Sequence, residues 1–169
     1  MTGKDFILEQ LNHEPTKKWL DVVGKYAFLS KYKYAIDIGT GSGLSSYVIA
    51  QNGKGMIFSI DTNLRPIAKL ISGDFNYDKR INFYEMTSDN FFKEIDMPKA
   101  QIIVIDGSHD YNDVKNDLMN SFIMIDKGGY IICDDYERYN GTRRAIIDFA
   151  KENNKSYMIE EEKAVFKNE

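Results

Sequence analysis

Residues 34–44 read Tyr34-Ala35-Ile36-Asp37-Ile38-Gly39-Thr40-Gly41-Ser42-Gly43-Leu44. A short apolar run ends beside an acidic residue, crosses three alternating glycines and enters an apolar-rich stretch, LSSYVIAQ. The run predicts a buried strand, and the stretch after it a helix. Glycines between them permit a tight turn and let the backbone approach a ligand without a Cβ clash. A dinucleotide fingerprint, G-x-G-x-x-G, would need glycine at position 44, where this chain has Leu44.

The same alternation continues outward from this turn. Further apolar runs are MIFSID from Met56, INFYEM from Ile81, QIIVID from Gln101 and YIICDD from Tyr130. Helical candidates separate them: NLRPIAKLIS, a short one near Asn90 to Ile95, DYNDVKNDLMNSFIMI and TRRAIIDFAKEN. Pro66 falls early in the first of these, where a first helical turn tolerates it. In the third, Val114, Leu118, Phe122 and Ile125 share one face, and Asp110 suits the cap. Strands alternating with helices predict βαβ units and a parallel sheet. The tail KSYMIEEEKAVFKNE reads as two strands joined near Glu161 to Lys163. The expected fold class is α/β, Rossmann-like: a seven-stranded, mostly parallel sheet with a C-terminal antiparallel hairpin and helices on both faces. Residues 1–33 read as one or two helices packing the sheet or covering the site, ahead of a domain over 34–169.

Length and composition agree with one domain. The chain has 169 residues, 43% of them hydrophobic, enough for a substantial core. Its net charge of -4 argues against a nucleic-acid binder, which would carry a basic face. The single cysteine, Cys133, excludes an internal disulfide and a multi-cysteine metal site, and it is expected to be a small core residue. The N-terminus lacks an apolar signal core, and no stretch reaches transmembrane length. A soluble, cytoplasmic protein is expected, with no membrane partner.

Acidic residues recur where these strands should end. Asp61 ends the second run, where an acid suits the ribose hydroxyls of an adenosine. Met86-Thr87-Ser88-Asp89 follows the third; Ser88 is equally suited to capping the next helix. QIIVID leads into Gly107-Ser108-His109-Asp110-Tyr111, and YIIC leads into Asp134-Asp135-Tyr136. In an open α/β sheet ligands sit outside the carboxyl ends, where strand order reverses. Strand one should lie beside strand four, and four beside five. Asp106, Asp134 and Asp135 then converge near the glycine turn. Carboxylates pressed together repel unless something positive sits among them. A hard divalent cation such as Mg²⁺ is the natural candidate.

The G-x-G-x-G turn with its preceding acid resembles motif I of class I S-adenosylmethionine-dependent methyltransferases. The pattern D-G-S-H-D-Y-x-x-V-x-x-D-L, followed by K-G-G-Y-I-I-C-D-D-Y, is similar to the metal-dependent O-methyltransferases that include the macrolide-sugar enzymes. Residues 34 to 137 carry these motifs. The resemblance implies a donor site of Asp37, Gly39, Thr40, Gly41, Gly43 and Asp61, with Thr87 and Ser88 at the adenine. It implies Mg²⁺ on Asp106, Asp134 and Asp135, and His109 as general base, with Asp106 beside it in the catalytic set. Imidazole, titrating near neutrality, suits that task. A small hydroxylated acceptor, of sugar or natural-product type, is expected.

Tyr111, Tyr136 and Tyr139 fall near the expected mouth. The chain is short for this family, which leaves the acceptor site either open or completed by a partner chain, as in a homo-oligomer. Three competing functions stay in view. They are a non-catalytic S-adenosylmethionine-binding protein, a methyltransferase acting on a macromolecule, and, weakest, a dehydrogenase.

Overall fold

The computed structural model describes residues 2–169. Two helices open the chain, α1 (Gly3–Leu11) and α2 (Glu14–Ser30). Then follow β1 (Tyr34–Ile38), α3 (Leu44–Gln51), β2 (Met56–Asp61), α4 (Pro66–Asp74), β3 (Ile81–Glu85), α5 (Ser88–Glu94), β4 (Ala100–Ile105), α6 (Tyr111–Met124), β5 (Ile125–Cys133) and α7 (Asn140–Glu152). The chain ends in the hairpin of β6 (Tyr157–Glu160) and β7 (Lys163–Lys167). One sheet takes all seven strands in the order β3-β2-β1-β4-β5-β7-β6. The first five pair in parallel, and β7 runs antiparallel to both β5 and β6.

Period-two alternation along the strands divides the interior in two. Ala35, Ile102 and Val104 face a core built with Trp19, Val23, Tyr47 and Ile71, which belong to α2, α3 and α4. Ile36, Ile103 and Ile105 face the opposite core, with Phe91, Leu118, Ile146 and Phe149 from α5, α6 and α7. Ile103 is fully buried. Truncating such a residue to alanine costs about 2–5 kcal/mol. Both sheet faces being covered explains why QIIVID reads as a continuous apolar run.

Local boundaries follow capping chemistry. Pro66 is in the first turn of α4, and Asp110 caps α6 by accepting from the Asn112 amide at 2.9 Å. The helix predicted through Ile125 stops at Met124. Ile125 is already extended and pairs with Ala100, so β5 starts five residues before Tyr130. A register shift between Ala100 and Ile102 absorbs the extra length. Local periodicity cannot reveal this, because Ile125 satisfies the apolar pattern of either element.

Candidate active site

Strand order reverses between β1 and β4, and the loops there open onto a cavity of about 760 Å³. The glycine turn forms one wall. Gly39, Gly41 and Gly43 all have positive φ, at 92°, 51° and 85°. At Gly39 the need is steric as well, since a Cβ there would lie 2.1 Å from the Asp106 carbonyl oxygen. At Gly41 a Cβ would meet only the Gly39 oxygen, at 3.9 Å, so the backbone lies open to a ligand.

Of the donor residues expected from sequence, Gly39, Thr40, Gly41, Asp61, Thr87 and Ser88 line the cavity. Asp61 accepts from the Gly41 amide at 2.7 Å and the Asn63 amide at 2.9 Å, so it holds the glycine turn in shape. Thr87 caps α5, accepting from the Asn90 amide at 3.2 Å. Ser88 donates instead to Asp117, at 2.5 Å. Gly43 is the cap residue of α3 and packs against Ala68.

Asp37 lies beneath the cavity rather than on its wall. It is fully buried. One carboxylate oxygen accepts from Ser45 at 2.8 Å, Ser46 at 2.5 Å and Ser59 at 3.3 Å. The other has no partner among the described residues. Burial pushes its pKa up, and the three hydroxyls oppose that shift. Trp19 and Thr16 of α2 also line the cavity, so the N-terminal segment contributes to its wall. Reading residues 1–33 as helices packing the sheet or covering the site singles out neither residue, because neither belongs to a motif.

Asp106 connects the cavity to a second cluster. Asp106, His109 and Asp135 each bring one ligand-type atom within 4.8 Å of the others. His109 Nε2 lies 2.6 Å from Asp135 Oδ2, and its ring stacks on Tyr139 with centroids 3.9 Å apart. Asp135 adopts φ 59°, a left-handed conformation that Asp tolerates better than most residues. Asp134 turns elsewhere. It accepts from the Asp135 amide at 2.7 Å and faces Lys163 Nζ at 3.4 Å. Burial first, then the charges of Asp134, Asp135 and Asp37, hold the Asp106 carboxyl well above the ordinary range. Asp134 is also raised by burial, against the pull of Lys163.

A divalent cation fits this chemistry. It would sit against the acids that, after burial, push the Asp106 carboxyl up, and would find two carboxylates and an imidazole around it. Nothing in the linear sequence marked Lys163. Its position follows from register, since Cys133 pairs with Ala164, and Asp134 and Lys163 are the next residues along the two chains, their side chains meeting at 3.4 Å.

The sequence pattern of the methyltransferase-domain family matches residues 36–136. No curated protein matches the chain. Among solved structures, an O-methyltransferase from Bacillus cereus in complex with S-adenosylhomocysteine superposes with a TM-score of 0.70 at 13% identity, covering 88% of this chain and 79% of that one. The O-methyltransferase TomG from Streptomyces achromogenes, in complex with S-adenosylmethionine, gives 0.71 at 10%, covering 89% and 80%. The N-methyltransferase NodS from Bradyrhizobium japonicum gives 0.68 at 12%, covering 94% and 98%. At such identities the likeness establishes the fold, and the same fold serves transfer to oxygen and to nitrogen.

Proposed function

The chain belongs to the methyltransferase-domain family, and from that premise we propose that it moves a methyl group from S-adenosylmethionine to a hydroxyl oxygen of a small acceptor. The observation that carries the choice of oxygen is the His109–Asp135 pair, at 2.6 Å, one residue cluster away from the donor cavity. A neutral hydroxyl is a poor nucleophile, and a positioned base improves it.

The donor cavity is of a size that suits a nucleoside ligand. S-adenosylmethionine would supply a methyl group on a sulfonium, an electrophile that needs no further activation. The protein's part is to hold the two reactants in line. Gly39 to Gly41 offer open backbone, and Asp61 stands at the ribose position at the end of β2. Thr87 and Ser88 lie beyond it, on the adenine side. Trp19 and Thr16 close the cavity from α2.

His109 takes the acceptor proton. With Nε2 engaged by Asp135, the other ring nitrogen carries the free lone pair, and the stack on Tyr139 fixes the ring plane. As the oxygen–carbon bond forms, the carbon–sulfur bond breaks and its electron pair stays on sulfur, giving S-adenosylhomocysteine. Asp106 and Asp135 are the residues that would hold a divalent cation, Mg²⁺ by their oxygen donors. Such an ion supplies positive charge that favours the ionised form of a nearby hydroxyl.

The acceptor is small and hydroxylated. Tyr139, stacked on His109, and Tyr111, two residues after it, offer it aromatic surface, while Tyr136 turns to Tyr157. A net charge of -4 disfavours a nucleic-acid acceptor. A reducing cytoplasm suits the buried thiol of Cys133, and no helix among the described residues is long and apolar enough to cross a membrane. A second copy of the chain could complete the acceptor site.

The test is turnover of S-adenosylmethionine against a panel of hydroxylated sugars and phenols, with Mg²⁺ or with EDTA. Turnover that vanishes in EDTA and returns with Mg²⁺ supports both halves. Unchanged turnover in EDTA removes the cation. No turnover with any hydroxyl, but activity with amines, moves the acceptor atom to nitrogen.

A further inference from the structure

We infer that Lys163 is the positioning residue that decides how many carboxylates the cation cluster has to offer, by holding Asp134 out of it. The inference rests on the reading of a cation at Asp106 and Asp135.

Lys163 stands at the start of β7, beyond the pair formed by Ala164 and Cys133. Antiparallel register therefore delivers its side chain beside Asp134, the first residue after β5. Only 8% of Lys163 is exposed. Its ammonium lies 3.4 Å from Asp134 Oδ1 and sits over the Trp19 ring, 5.9 Å from the centroid. The next acid along the hairpin, Glu160, is its cross-strand partner. That carboxylate is already taken, by Lys25 at 2.7 Å and by Tyr26 at 2.8 Å. Lys163 is thus left to Asp134.

Three acids stand at the tips of β4 and β5, yet only two share the cluster with His109. Asp106, His109 and Asp135 approach within 4.8 Å of one another, and Asp134 is absent from that group. A buried ammonium neutralises one carboxylate permanently, without being lost to a chelator. The remaining pair carries two negative charges instead of three, and cation affinity falls as the ligand charge is reduced. Removing the ammonium leaves Asp134 buried beside the cluster without its ion-pair partner. The cation that Asp106 and Asp135 would hold can then take that partner's place.

The experiment measures Mn²⁺ binding by electron paramagnetic resonance and calorimetry, on the full chain without methyl donor or acceptor. Four proteins are compared: the unsubstituted chain, Asp134→Asn, Lys163→Met, and the double variant. Asp134→Asn should leave the affinity within about threefold, while Lys163→Met should tighten it by about tenfold or more. The double variant should return to the starting value, since neither charge remains. A tenfold loss in Asp134→Asn would make Asp134 a ligand despite its lysine and overturn the inference. So would Lys163→Met binding no more tightly than the unsubstituted chain, including the case in which neither binds. If Lys163→Met does not fold, the Asp134→Asn arm decides. Methyl transfer plays no part in the readout, so a failure of the proposed reaction and a failure of this inference are told apart.

Discussion

Asp61, at the end of β2, accepts hydrogen bonds from the amides of Gly41 and Asn63; Asp106, just beyond β4, faces Asp134 and Asp135 instead. The two residues mark the two sides of the strand-order reversal. On the donor side, acids are satisfied by groups that stay put: backbone amides for Asp61, three serine hydroxyls for one oxygen of Asp37. On the reaction side, acids are set against one another, with Lys163 and His109 as their relief. Only one of the two sides is complete as folded. The glycine-turn wall of the cavity is held by its own hydrogen bonds, and a preformed wall lowers the cost of binding a ligand. The reaction cluster stores unfavourable electrostatics that a proton, a cation or a reacting group can discharge, a pattern common at functional sites.

The comparison breaks most sharply at His109. Replacing it with alanine should lower single-turnover methyl transfer by about 10²- to 10⁴-fold, the span expected for a lost general base. S-adenosylmethionine affinity, read by calorimetry, should stay within about threefold, because no donor-side contact changes. Equal losses in transfer and donor affinity would mean that the two sides are one site.

Gly39 is where the two sides touch. Alanine there must hold φ near 92° with its Cβ 2.1 Å from the Asp106 carbonyl oxygen. Backbone strain and overpacking together should cost about 2–4 kcal/mol of stability in urea unfolding. Gly41→Ala, with open space at its Cβ, should cost about 1 kcal/mol less strain than that and chiefly weaken donor binding. If the two variants unfold alike, steric contact with Asp106 is not what demands the first glycine.

Much of this division could be read in the sequence. The three glycines, Asp61 and the strand-final acids were placed by alternation and by the rule that ligands gather at carboxyl ends. The sheet, its hairpin and α3 came out as expected, since local apolar period and turn chemistry agree there. What stayed hidden depends on register and on packing between distant segments. Lys163 meets Asp134 only because β7 pairs with β5 in one particular register. Trp19 reaches the donor cavity only because α2 packs across α3. Asp117 enters the sequence reading only as one letter of a pattern, with no partner, yet it is 4% exposed and bonded to Ser88. A helical wheel gives its face, and nothing in the wheel says what covers that face.

Asp117 lines the same cavity but is an acid without fixed amide donors. Burial pushes its carboxyl up to about 6, against the pull of the Ser88 hydroxyl. A carboxyl that titrates higher in the folded chain binds more protons there than when unfolded. Stability is therefore lost as pH rises from about 4 to about 6, and the loss persists above that. Asp117→Asn should abolish this slope and raise stability at pH 8 by about 2–3 kcal/mol, two pKa units by linkage. The measurement is urea unfolding at a series of pH values. A slope that survives the substitution would assign it to the reaction-side acids instead.

The smallest effect concerns the turn that sets Lys163 in place. Glu161 and Glu162 join β6 to β7 with φ of 46° and 68°. A two-residue hairpin turn with both residues left-handed is the type I′ geometry, which favours Asn-Gly. Each of the two glutamates holds it at a cost of about 1 kcal/mol, offset only in part by the exposed pair of Glu161 with Lys18 at 3.3 Å. The double replacement Glu161→Asn, Glu162→Gly should raise stability by about 1 kcal/mol and leave Mn²⁺ affinity unchanged, because the register of β7 is set by its pairing with β5 as well as by the turn. If affinity changes while the hairpin remains folded, the strained turn itself aims the lysine. The tip of the hairpin would then belong to the reaction side rather than merely support it.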